Sequence, residues 1–149
     1  MDFDRFGLNK EFCEKRGFKV FLGTDWLDDS EYKALENLSR GRKLSLHIIG
    51  SGAGPISVGS FHDAVKLESQ FVDVDKIIEI DDCAIIYVSD DRDLFLVAAT
   101  EETLSVLVQD IVSAGGKTYS SLVQSGTVVP QKQVKSFFDE WTALNFEIG

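Results

Sequence analysis

Apolar residues recur along the chain at two spacings, and each spacing marks a kind of element. Leu104, Leu107, Val108, Ile111 and Val112 fall at i, i+3, i+4, i+7 and i+8, which predicts a helix burying one stripe. Thr100 is placed to cap it, Glu101 and Glu102 occupy its positive end, and Gly115-Gly116 closes it. A second stripe, Val134, Phe137, Phe138, Trp141 and Leu144, follows Pro130 at a first helical position. Asp28-Asp29-Ser30-Glu31 ahead of Tyr32, Leu35 and Leu38 predicts a helix over 29–39 that stops at Arg40-Gly41. Leu8, Phe12 and Cys13 share a face of a short helix running to Lys15 and ended by Gly17. Residues 56–71 read two ways, with the preferred helix over about 61–71. Phe61, Ala64, Val65, Glu68 and Phe71 fit a helix, Val65 and Leu67 fit alternation, and the helix is the preferred reading.

The other spacing is alternation. It predicts strands at Phe18–Leu22 and Arg42–Ile49, the latter with Leu44, Leu46 and Ile48 on one face and His47 on the other. Three strands rich in Ile, Val, Phe and Tyr follow at 76–80, 83–88 and 94–98, joined by corners at Asp81-Asp82 and Asp90-Asp91-Arg92-Asp93. Lys117–Val123 and Thr127–Val129 predict a hairpin about Ser125-Gly126. With no repeat and no linker, the expectation is one α+β domain over 1–149: a mostly antiparallel sheet, its central meander at about 76–98, with helices packed on one face.

Charge changes this picture more than composition does. At 149 residues, 44% hydrophobic and 27% charged, the chain has the balance of an ordinary folded domain. Its net charge is −10, and residues 73–102 hold ten carboxylates against Lys76 and Arg92, a net of −8. Asp tolerates tight turns, so some of these acids serve turn formation. The remainder point to a one-sided negative surface. Such a surface repels nucleic acid, whose phosphates need cations, and attracts a basic protein. No apolar run is long enough to span a bilayer, and the charged start MDFDRFGLNKEF does not read as a secretory signal. Cys13 and Cys83 fit neither a metal spacing nor a disulfide framework, so a cytoplasmic location is expected, with Cys83 a buried structural thiol. Arg40, Arg42 and Lys43, the one basic cluster, sit where they complement a helix C-terminus.

Catalytic chemistry finds little support. The two histidines, His47 and His62, lie in no nucleophile-elbow motif. Gly50-Ser51-Gly52-Ala53-Gly54-Pro55 follows a strand, but Pro55 stands where a dinucleotide fingerprint needs its third glycine, and no Gly-Lys-Ser/Thr follows. A connector or hairpin loop is the simpler reading. Asp73-x-Asp75 and Asp90-Asp91-x-Asp93 lack the glycine and distal Glu of a calcium loop, so neither a metal nor a cofactor is expected.

The favoured function is therefore a non-enzymatic, acidic module that neutralises a basic, toxin-like partner by charge mimicry and occlusion. An immunity protein or antitoxin against a nuclease-type toxin acts in this way. Its expected contact residues are Asp73, Asp75, Glu79, Asp81, Asp82, Tyr87, Asp90, Asp91, Asp93, Glu101 and Glu102, with Phe95 and Trp26 as further aromatic anchors. Alternatives are a secretion chaperone or adaptor with an exposed apolar strip, and a small nucleotide-binding enzyme using the Gly50–Gly54 loop. The sequence does not set the oligomeric state.

Overall fold

The computed structural model describes residues 10–24, 27, 29–49, 54–71, 73–81, 83–89 and 94–115. These form α1 (Lys10–Lys15), β1 (Phe18–Thr24), α2 (Asp29–Ser39), β2 (Leu44–Ile48), β3 (Ile56–Val58), α3 (Phe61–Glu68), β4 (Lys76–Ile80), β5 (Ala84–Val88), β6 (Leu94–Thr100) and α4 (Glu101–Ser113). The six strands make one sheet in the order β1-β6-β5-β4-β2-β3, every neighbouring pair antiparallel. This is the α+β arrangement the pattern predicts, with the meander as β4, β5 and β6. The predicted hairpin at 117–129 and the helix behind Pro130 lie outside the described residues.

One face of the sheet is the core. In the central row Phe21, Val97, Ile86, Ile78 and Leu46 stand side by side across five strands. They pack against Ala34 and Leu35 of α2, Phe61 and Ala64 of α3, and Leu104, Leu107, Val108 and Ile111 of α4. The opposite face is covered as well: Val20, Leu22, Ile77, Ile85, Tyr87, Leu96 and Ala98 are each buried. At β2 and β3 this second face turns polar, with Ser45, His47 and Ser57.

Several boundaries follow from local chemistry. The Ser60 hydroxyl accepts from the Asp63 amide and caps α3, and the Thr100 hydroxyl accepts from the Thr103 amide and caps α4. Gly115, at φ 92°, takes the left-handed conformation that ends α4. Three expectations are corrected. The start of the ambiguous stretch, for which the pattern predicts no strand, forms β3 over Ile56–Val58. Val112, the fifth residue of the α4 stripe, is 47% exposed, although Ile111 beside it is buried. Cys83 is half-buried in the β4–β5 turn, where its amide donates to the Ile80 carbonyl, while Cys13 is buried.

Candidate protein-binding surface

Strand register places the predicted acidic residues. Ile80 pairs with Ala84 and Ala84 with Ala99, so the end of β4 and the end of β6 lie two strand spacings, about 10 Å, apart. Asp81 follows the first and Glu101-Glu102 follow the second, so these three carboxylates share one end of the sheet. Asp81 sits at φ 49° in the turn, and its amide donates to the Lys43 carbonyl. Glu101 and Glu102 lie in the first turn of α4, where the helix dipole favours negative charge. All three are exposed, and among the described residues none of them is in an ion pair. Cations flank them without closing on them: Lys19 is the register partner of Ala99, and Lys43 adjoins Asp81 through the backbone.

Asp73 and Asp75 lie at the other end. They precede Lys76, which starts β4 opposite the last residue of β5. The length of β4, about 13 Å, separates them from Asp81. Among the described residues, Asp73 and Asp75 thus lie at one end of the sheet and Asp81, Glu101 and Glu102 at the other. Asp73, at φ 63°, is a turn residue. The Asp75 carbonyl accepts from the Ile49 amide, tying β2 to the start of β4.

Glu79 belongs to neither end. It lies on the second sheet face, 2.6 Å from Nε2 of His47 on β2, so its charge is shared with a neighbour. Tyr87 and Phe95, expected as aromatic anchors, are 3% and 0% exposed, because β5 and β6 are covered on both faces; they are core residues. Asp82, Asp90, Asp91, Asp93 and Trp26 lie outside the described residues.

No family model, no curated protein and no solved structure matches the chain. The site therefore has to be read from its own chemistry.

Among the described residues there is no group of three or more His, Cys, Asp or Glu side chains arranged to hold a metal ion, and no helix long and apolar enough to cross a membrane. The residues after the Gly50–Gly54 loop enter β3, an edge strand paired with β2. A phosphate loop instead delivers its ligand to a helix N-terminus, and the next helix, α3, begins only after β3 has run its length. On the outer side, the Tyr32 hydroxyl lies 3.2 Å from Nδ1 of His62. Burial, and then the carboxylates of Glu36 and Asp63, hold the Tyr32 phenol above its ordinary value.

A groove of about 260 Å³ opens between α2 and α4, lined by Ala34, Leu38, Val106 and Leu107 with Asn37, Arg40, Arg42 and Asp110. Arg42 donates from Nε to the Leu38 carbonyl at 3.1 Å, which anchors its stem at the end of α2. The sequence singles out the basic cluster but not Val106. The available signal is that Val106 is an apolar residue lying off the α4 stripe; it is 60% exposed.

Proposed function

We propose that this protein is a binding module that neutralises a basic partner, in the manner of an immunity protein or antitoxin against a nuclease-type toxin. The carboxylates of Asp81, Glu101 and Glu102 occupy the partner's cationic cleft in place of phosphate, and the end of the sheet blocks the cleft. The observation that carries this reading is the grouping of three exposed carboxylates, free of ion pairs, at one rigid sheet end of a chain with net charge −10. Unpaired surface charge of one sign accelerates encounter with the opposite sign and makes binding depend on salt. Asp73 and Asp75 at the far end are not needed for it.

The test is capture of partner from lysate of the source cells at about 50 mM and about 200 mM salt, spanning a strong change in screening. Wild type should retain a basic protein at the lower salt, inhibit any nuclease activity it carries, and release it at the higher. Asp81→Asn with Glu101→Gln and Glu102→Gln should lose it, whereas Asp73→Asn should keep it. Retention that is indifferent to salt, or that survives the triple substitution, rules the reading out.

A further inference from the structure

We infer that the groove between α2 and α4 is a second docking site, whose occupant is a partner segment presenting an aliphatic side chain flanked by carboxylates. Its volume, about 260 Å³, is below the roughly 300–1,000 Å³ of sites that enclose a small molecule, so it suits a protruding side chain rather than a cofactor. Its floor is aliphatic, formed by Ala34, Leu38 and Leu107, and Val106 stands 60% exposed at its side. Val106 and Val112 are the exposed large hydrophobic residues among those described.

Charge complementarity selects the flanks. Arg40 and Arg42 border the groove against one carboxylate, Asp110, and among the described residues no ion pair engages any of the three. This local excess of positive charge lies in a chain of net −10. The Nε contact to Leu38 orients Arg42 and leaves its terminal nitrogens for a carboxylate. Apolar floor and guanidinium rim together match an acidic–aliphatic peptide. Basic or purely apolar segments do not satisfy the rim. This site has the opposite sign to the Asp81, Glu101 and Glu102 end, and Glu102 lies one helical turn from Val106 on α4.

The probe is N-acetyl-leucyl-glutamate, titrated into the isotopically labelled full chain and followed by two-dimensional amide NMR. A ligand this small should bind with Kd on the order of millimolar. Saturable shifts are expected at Leu38, Arg40, Arg42, Val106, Leu107 and Asp110. Arg40→Gln with Arg42→Gln should weaken binding at least about tenfold, the loss of two charge-assisted contacts, and Val106→Asp should abolish it. Asp110→Asn, which removes the competing carboxylate, should tighten it. These side chains are exposed, and the spectrum of each variant reports its fold. Three results overturn the proposal: no saturable shifts in the groove, equal shifts from the neutral N-acetyl-leucyl-glutaminamide, or self-association abolished by Val106→Asp without peptide binding. The last would assign the groove to a second copy of the chain.

Discussion

Gly23 of β1 faces Phe95 of β6 in direct register. A Cβ built on Gly23 would stand 2.2 Å from two carbons of that ring, so the ring occupies the space a side chain would take. Phe95 is fully buried and tilts against Phe21 with ring centroids 6.1 Å apart. Gly23→Ala should therefore cost about 1–3 kcal/mol in urea unfolding, the usual penalty for overpacking a core. Phe95→Leu in the same chain should recover part of it; an unchanged midpoint for Gly23→Ala would mean the ring is not there. A glycine inside a strand is a known sign of close approach, but the sequence does not say what approaches. Tyr32 gives a pH dependence of defined sign. Its folded pKa is raised, so its contribution is complete below the ordinary tyrosine value of about 10 and is lost as pH rises from there through the folded value. Unfolding curves taken at increasing alkalinity should show an extra loss of stability in wild type that is absent in Tyr32→Phe.

Helix α3 and strand β4 are locked by charge at the place where one hands over to the other. Lys76 Nζ lies 3.3 Å from the Glu68 carboxylate and donates to the Phe71 carbonyl at 2.9 Å, and both ionic side chains are buried. Lys76→Met should cost about 3–5 kcal/mol, because it removes one partner of a buried ion pair and leaves the Glu68 carboxyl in the core without this cation. Lys76→Met combined with Glu68→Leu should return stability to within about 1 kcal/mol of wild type or above it. A double variant as weak as the single one would show that the pair contributes more than mutual compensation. The helices were legible because their signals are local. Leu104 to Ile111 share a stripe, and Thr100 is a cap residue in sequence as in space. Ambiguity at 61–71 resolves into α3 over 61–68, with alternating Val65 and Leu67 half-buried at its flank. Strand β5 was legible as a strand but not in its burial. All five residues of AIIYV are buried, and a strand covered on both faces shows no alternation to mark an outer side. For that reason Tyr87 looks like an anchor in sequence and is a core residue in the fold.

Net charge can be counted from the sequence, but its distribution depends on pairing between distant strands. Asp73 and Asp81 are eight positions apart in the chain and stand at opposite ends of β4, whereas Asp81 and Glu101 are far apart in the chain and share an end. The His47–Glu79 contact likewise exists only once β2 and β4 are in register. With exposed carboxylates at both ends and few ion pairs among the described residues, self-repulsion opposes folding. Raising ionic strength from about 10 mM to about 150 mM should therefore raise the thermal midpoint, as the screening length shortens. A midpoint that falls instead would show that favourable ion pairs outweigh repulsion.

The place of β1 in the sheet has a consequence for synthesis. It is made first, yet its hydrogen-bonded neighbour is β6, the last strand of the sheet among the described residues, with Phe18 waiting for Thr100. β2 to β5 can pair as they emerge, but β1 cannot join until they are complete. A nascent chain halted before Leu94 carries a seven-residue ribbon whose Phe18, Val20, Phe21 and Leu22 have no place in the sheet. Such a chain is the form in which this protein most needs a holding chaperone, and pausing during translation just short of that point would expose it longest.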